Sequence, residues 1–205
     1  MDPWMTMQVR LASLILVTQL CAGCVSTSTL VEEKLDMGTG VTVTHATAPI
    51  VLYHDNSSYA AHARDYVYLG PVEINRMGDY SYYLWLGIWS TISDAERSFQ
   101  RDGFESVTVY ADGEPLQLEL VGWTLESIGV SEPVYVKPVA SAADAYYRVT
   151  MDQIRLIAGA REIELHVGTA PVTIYLMWDR QGSAHASLRE FVGRGLYGTA
   201  ALNRP

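Results

Sequence analysis

The sequence predicts a mainly β protein, folded as an antiparallel β-sandwich or half-barrel with one or two short helices. Short runs rich in Val, Ile, Tyr and Trp recur along its 205 residues, and clusters of turn-forming residues separate them. The aromatic set contains 13 Tyr and 5 Trp against 3 Phe, which favours strands. About eight candidate strands follow one another at the spacing typical of sandwiches. A single sheet covered by the two helices is the second architecture compatible with this pattern.

The clearest hairpin lies between residues 106 and 121. Apolar and polar residues alternate on both sides of Asp112-Gly113, a dipeptide that supplies the positive φ angles of a tight turn. One face of this hairpin is therefore expected in the core and the other in water. The core face carries Val107, Val109, Leu116, Leu118 and Leu120.

The most β-like segment is YSYYLWLGIWST, residues 80–91. With a period of two, one face carries Tyr82, Leu84, Leu86 and Ile88, and the other carries Tyr83, Trp85, Gly87 and Trp89. Because both faces are apolar, we predict a central strand that is covered on both sides. Gly87 is expected to mark a bulge or a place where another group packs closely. Residues 172–178 have the same two-sided apolar pattern.

The remaining elements are shorter. Further strands are expected at residues 48–53, 65–74, 133–137, 145–149 and 162–167, and Gly70-Pro71 is expected to bend or interrupt the second of them. Thr150 and Gln153 have the spacing of a capping box, which predicts a helix to about Ala158. One helical turn is expected at residues 93–96. A last short helix begins at Ser183 or Ser187 and ends at Gly193.

The stretch LASLILVTQLCAGC, residues 11–24, has the pattern of an exported leader. Its apolar run is too short for a stable transmembrane helix, and small residues follow it. Ala22, Gly23 and Cys24 match the lipobox, so the stretch resembles a bacterial lipoprotein signal peptide, although Cys21 stands where that family usually has Leu. The resemblance implies cleavage before Cys24 and acylation of its thiol. Val25 follows the cysteine, which in such lipoproteins implies the outer membrane.

This resemblance divides the chain into three parts. Residues 1–23 form the signal peptide, residues 24–45 form the lipidated cysteine and a tether, and residues 46–205 form one β-rich domain. Both cysteines, Cys21 and Cys24, lie in the leader, so the domain is expected to contain no disulfide or thiolate site. The formal net charge of −9 disfavours binding to nucleic acid. The expected partners are the membrane, through lipid on Cys24, and an unidentified envelope protein.

Sequence motifs for catalysis are missing. No serine lies in a nucleophile-elbow sequence, and no glycine-rich stretch has the flanking strand and helix of a phosphate loop. The nearest approach to a metal-ligand cluster is His54, Asp55 and His62, but their spacing matches no metal motif. We therefore expect no cofactor, no metal and no enzymatic activity.

The function predicted from these observations is that of a membrane-anchored lipoprotein on the periplasmic side of the envelope. Its non-catalytic β-rich domain would bind another protein or assist envelope assembly. The alternative is a glycan- or peptidoglycan-binding module that uses an aromatic row formed by Tyr83, Trp85 and Trp89. These rings could instead fill the core, the interpretation we favour for Trp85 and Trp89, and their exposure separates the two.

Overall fold

The computed structural model describes residues 29–57, 60–92, 101–179 and 182–202, and for residues 195–202 it describes the backbone alone. The expected leader with Cys24 and the helical turn expected at residues 93–96 lie outside these ranges. The described strands are β1 (Val31–Leu35), β2 (Thr42–Ala46), β3 (Ile50–Asp55), β4 (Arg64–Arg76), β5 (Asp79–Ser90), β6 (Val107–Ala111), β7 (Glu114–Gly122), β8 (Ala143–Val149), β9 (Ile163–Val167) and β10 (Thr173–Met177). The described helices are a 3-10 helix (Leu125–Ile128), α1 (Met151–Gly159) and α2 (Ser183–Leu202).

The strands form one antiparallel sheet that closes on itself. Around the closed part the order is β4-β3-β10-β9-β6-β7-β8-β5, and β5 pairs again with β4, so eight strands make a barrel. β2 and β1 extend outward from the second half of β4. The predicted mainly β class is confirmed and the half-barrel was close, but the sandwich was wrong. The long β4–β5 hairpin pairs over 12 residue positions. The other six barrel strands connect the outer edge of β4 to the outer edge of β5, so the sheet closes into a barrel and does not divide into the two sheets of a sandwich.

The Gly70-Pro71 pair lies inside β4 and does not interrupt it. One edge of β4 pairs with β3 up to Leu69 and with β2 from Val72, so the pair occupies the gap between two partners. Proline is tolerated there because its missing N–H would have had no strand to bond. A Cβ at Gly70 would overlap the ring of Tyr135, whose hydroxyl donates to the Pro71 carbonyl at 2.9 Å.

The residues expected to form a tether include two paired strands. β1 pairs with β2 along all five residues, and β2 pairs with β4, so the folded domain begins well before residue 46. Val31 and Val43 are fully or almost fully buried. The Ser/Thr-rich composition suggested a linker, but threonine is also a good strand former, and the apolar residues among the threonines pack against the barrel.

The two α-helices contact each other, and both contribute residues to the interior core. The capping box of α1 is confirmed, since the Gln153 amide donates to the Thr150 hydroxyl and the Gln153 side chain accepts from the Thr150 amide. Leu188 and Phe191 of α2 join the interior core. This helix continues through Gly193 to Leu202, so its predicted end was wrong. A single glycine costs a helix only about 1 kcal/mol relative to alanine, which the neighbouring turns can offset.

The predicted 106–121 hairpin is confirmed, with Val107 paired to Leu118. Asp112 and Gly113 have φ angles of 50° and 86°.

Gly113→Val should lower the free energy of unfolding by about 1–3 kcal/mol, because a β-branched residue is strained at positive φ. Since no atom would crowd a Cβ there, strain alone is tested. Asp112→Asn is the matched control, because its side-chain oxygen can still accept from the Arg161 and Glu162 amides. Equal denaturation midpoints for Gly113→Val and the wild type would contradict the prediction.

Candidate functional site

The interior of the barrel is filled by its own side chains. Residues that point inward from all eight strands are buried and form one cluster with the two α-helices. Fully enclosed members include Leu52, Leu69, Leu84, Leu86 and Leu165. A binding site is therefore sought on the outer surface of the barrel, which has a covered region, an open apolar face and a cleft.

The covered region lies over β5. Trp85 is only 1% exposed, and its ring stacks on Tyr135 with centroids 4.4 Å apart and planes 16° from parallel. Its indole Nε1 donates to Asp144 Oδ1 at 3.0 Å, and its ring occupies the space that a Cβ on Gly87 would need. Tyr83 is 5% exposed in the same cluster. Tyr83 and Trp85, two members of the expected ligand-binding row, are thus buried members of this cluster and do not form an exposed row.

The cover over β5 is the segment between β7 and β8. Its buried side chains are Ile128, Val130, Val134 and Tyr135. Residues 133–137 were expected to form a strand, but they are irregular in the structure and pair with no neighbour. The apolar residues of this segment, Val134 and Tyr135, are buried against the outer side of β5. The prediction of cover on both sides is confirmed for residues 83–88, which are all buried, whereas Tyr80 is exposed and Trp89 is only partly buried. The close packing at Gly87 is also confirmed.

Trp89, the third residue of the expected row, has a different environment. Its ring is partly buried and stacks on Tyr66 with centroids 4.7 Å apart. Tyr66 in turn lies 6.0 Å from the ring of Trp178. The guanidinium of Arg64 lies 5.0 Å above the Trp178 ring and 5.6 Å from that of Tyr53. These rings form an aromatic group that is open to solvent on the outside of the barrel.

β10 continues this aromatic group as an exposed apolar row. Tyr175 and Met177 point into the core, whereas the alternate residues point outward. The outward residues are Val172 (47% exposed), Ile174 (41%), Leu176 (45%) and Trp178 (51%). We call this row, together with Tyr53, the outer apolar face. Residues 172–178 are apolar on both faces, as residues 80–91 are. Within the described part of the chain, however, no segment covers the outer side of β10.

A cleft of about 740 Å³ lies on another side of the barrel, between the β1–β2 hairpin and the segment after the 3-10 helix. We call it the His45 cleft. His45 is 6% exposed, and its ring meets Tyr135 edge-on at 4.8 Å between centroids. Glu32 and Lys34 line the hairpin side, and Lys137 and Asp144 line the opposite side. Sequence reasoning missed this cleft because its residues come from distant parts of the chain and match no motif.

The charged groups of the cleft are mostly engaged with one another. Lys137 Nζ lies 2.9 Å from Asp144 Oδ2 and donates to the Ala142 carbonyl at 2.8 Å. Lys34 Nζ donates to the Pro133 carbonyl at 2.7 Å. Burial lowers the pKa of His45, so its imidazole is neutral near pH 7.

The histidines and acidic residues considered at first for metal binding are separate from this cleft. His54 Nδ1 lies 3.0 Å from the Ile174 carbonyl oxygen, and Asp55 accepts from Arg64 at 2.7 Å. Among the described residues, no three His, Cys, Asp or Glu side chains are placed to hold one metal ion. Neither described α-helix combines the length and hydrophobicity needed to cross a bilayer.

Comparisons with protein-family models, with curated proteins and with solved structures found no match to this chain. What the protein does must therefore be argued from its own fold and surfaces.

Proposed function

We propose that this chain is a lipid-anchored envelope protein whose barrel binds another protein through the outer apolar face. The observation that carries the proposal is the contrast between two outward faces of one barrel. The face of β5 is apolar and covered by the chain itself, whereas that of β10 is apolar and is left open by the residues that the structure describes. Contiguous exposed apolar surface of this kind marks interaction sites on soluble domains. The role is binding and not catalysis.

The anchor is supported by the lipobox-like sequence that ends at Cys24. Thr29, the first described residue, follows Cys24 by five positions, which can span at most roughly 18 Å. A lipid on Cys24 would therefore keep that part of the barrel close to the membrane. Thr29 lies beside Thr47, whose hydroxyl donates to its carbonyl at 2.9 Å. The Trp178 amide bonds to Val51, four residues beyond Thr47, so the outer apolar face begins at the same end.

The proposed partner is a protein with a complementary apolar surface. The row from Val172 to Trp178 is mainly aliphatic, and aliphatic side chains pack well against apolar protein surfaces. Trp178 and Arg64 at one end are of the residue types that dominate binding energy at interfaces. Because the domain is strongly acidic, two copies would repel each other, which favours a different protein over self-association.

The anchor and the binding face can be tested separately. Cys24→Ser should abolish incorporation of labelled fatty acid and release the protein from the membrane fraction, because the thiolate is the acyl acceptor. For the face, the photoreactive residue p-benzoylphenylalanine replaces Leu176 or, as control, Gln117 on the exposed outer side of β7. Irradiation of living cells should give a defined adduct from position 176 and none from position 117.

The adduct is then used to identify the partner, and binding is measured with both purified proteins. The double variant Ile174→Asn, Leu176→Asn should weaken that binding at least tenfold while its melting temperature stays close to that of the wild type. Unchanged lipid labelling of Cys24→Ser would refute the anchor. Equal adducts from positions 176 and 117, or unchanged affinity of the double variant, would refute the binding face.

Glycan binding is a second candidate, favoured by the open aromatic group around Arg64. Tyr53, Tyr66, Trp89 and Trp178 present rings on one surface, and sugars stack on such rings. Sedimentation with purified peptidoglycan distinguishes this candidate from the first. A glycan site would lose binding on Trp178→Ala and keep it in the Ile174→Asn, Leu176→Asn variant, whereas a protein-binding face requires the aliphatic row.

A further inference from the structure

We propose that the His45 cleft binds an ammonium or guanidinium group carried on an apolar stem. The charged group would lie between the imidazole of His45 and the carboxylate of Glu32, and the stem would lie along the apolar wall of the cleft. This site is separate from the outer apolar face and does not depend on the function proposed for that face.

The imidazole of His45 presents an acceptor to the cleft. Its Nδ1 lies 3.0 Å from the Ala46 carbonyl oxygen, an atom that can only accept, so the hydrogen is on Nδ1. In the neutral ring Nε2 then carries a lone pair. Within the described chain the nearest charged partner of Nε2 is Glu32 Oε2 at 3.9 Å, which is too far for a hydrogen bond and is itself an acceptor. Two acceptors that face each other across an open cleft leave a place for a donor between them.

The 3.9 Å separation fits one donor group that bonds to both atoms. Two hydrogen bonds of about 2.9 Å can meet at a single nitrogen placed between acceptors at this distance. A carboxylate on one side favours a positively charged donor over a neutral one, because charge-assisted hydrogen bonds are the stronger kind. The net charge of −9 also favours the approach of cations.

The two lysines of the cleft do not cancel this preference. Lys137 is paired with Asp144 at 2.9 Å, and Lys34 lies 3.8 Å from Glu132 in addition to its bond to Pro133. Each ammonium is thus compensated by its own carboxylate. Glu32 is the carboxylate that remains beside the imidazole, and its side chain is 56% exposed and accessible from solution.

The stem of the ligand is defined by the remaining wall of the cleft. Apolar side chains surround the polar pair, namely Pro49, Leu125, Pro133, Val134 and Val136. A volume of about 740 Å³ admits a ligand considerably larger than one amine. The same chemistry is found in a free aliphatic or aromatic amine and in a lysine or arginine side chain of a peptide.

Calorimetry on the full chain separates these two sources with defined probes. Phenethylamine represents the free amine, and 2-phenylethanol is its uncharged counterpart. The peptide acetyl-Phe-Lys-Phe-amide represents a basic side chain, and the same peptide with norleucine in place of lysine is its control. We expect at least one charged probe to bind at least tenfold more tightly than its uncharged counterpart. The tighter of the two charged probes identifies the natural source.

Two isosteric variants test whether Glu32 binds the charged group of the probe. Glu32→Gln should weaken the charged probe about tenfold and leave the uncharged probe unaffected. Glu33→Gln is the matched control, since it removes the same charge one residue along β1, from the opposite face of the strand. Both side chains are at the surface, so folding is expected to be preserved. Failure of both charged probes to bind, or equal weakening by Glu32→Gln and Glu33→Gln, would overturn the proposal.

Discussion

Trp85→Ala should lower the free energy of unfolding by about 3–5 kcal/mol, the usual cost of removing a large buried aromatic side chain. The indole is 1% exposed, stacks on Tyr135 and donates to Asp144. Its removal leaves a cavity under the segment that covers β5 and takes away the ring on which Tyr135 stacks. The loss is a large part of the roughly 5–15 kcal/mol that stabilises an ordinary domain. Chemical denaturation followed by circular dichroism measures it.

Trp178→Ala is the matched control for this experiment. Trp178 is 51% exposed, and its ring contacts include Arg64 at 5.0 Å. An exposed cation–π pair contributes about 0.5–1 kcal/mol, and the ring also contacts Tyr53 and Tyr66 at the surface, so the control should lose clearly less than Trp85→Ala. If Trp85→Ala and Trp178→Ala shift the denaturation midpoint equally, the outer side of β5 is not covered as described.

Asp36→Asn should produce the second large effect, a marked fall in melting temperature at neutral pH. The Asp36 side chain lies at the end of β1 and is completely buried. Its carboxylate accepts from the amides of Gly38 at 2.9 Å and Thr39 at 3.2 Å. It also accepts from both the hydroxyl and the amide of Ser131 at 2.5 Å and from the Glu132 amide at 3.3 Å. An asparagine would present N–H groups to some of these donors and leave them unbonded.

The effect of Asp36→Asn should depend on pH. Hydrogen bonding from the Ser131 hydroxyl holds the pKa of the Asp36 carboxyl well below its usual range, and backbone amides add to this against the opposing effect of burial. A depressed pKa in the folded state means that the stabilisation is complete above the unfolded pKa of about 4 and is lost as the pH falls towards the folded value. The difference in melting temperature between wild type and variant should therefore be full at pH 7 and shrink below about pH 4.

Asp152→Asn is the control, because the Asp152 side chain is 87% exposed and pairs only with Arg155 among the contacts described. It should change the melting temperature little at any pH. A difference between Asp36→Asn and wild type that stays constant from pH 7 to pH 3 would contradict the role assigned to the ionised carboxylate.

Local patterns in the sequence predicted several elements correctly. The Asp112-Gly113 turn, the Thr150 capping box and the alternation of residues 163–167 each depend on neighbours a few positions away. The errors arose where a segment's state depends on distant contacts. β1 and β2 are strands because β1 pairs with β2 and β2 pairs with β4, whereas residues 133–137 are irregular and pair with no strand among the described residues. Barrel closure likewise follows from the pairing of β4 with both β3 and β5.

The expected aromatic row shows the same limit for the candidate site. Trp85 and Trp89 belong to one face of one strand, yet only Trp85 lies beneath the Tyr135 segment, and Trp89 lies beside the open group around Tyr66. Period-two reasoning assigns residues to faces, but it does not tell which part of a face another segment will cover. The outer apolar face was missed for this reason, whereas the His45 cleft was missed because its residues come from distant parts of the chain.

The sequence by itself determined the mainly β class, the two-sided apolar character of residues 80–91 and 172–178, and the lipobox-like pattern at Cys24. These are properties of composition and of residues close together in the chain. Only the tertiary structure decided that β5 is covered on its outer side while β10 is open, and that His45 faces Glu32 within a cleft. Whether an apolar face is buried depends on which distant segment of the chain packs against it. The hydrophobicity of a segment indicates only its tendency to be buried.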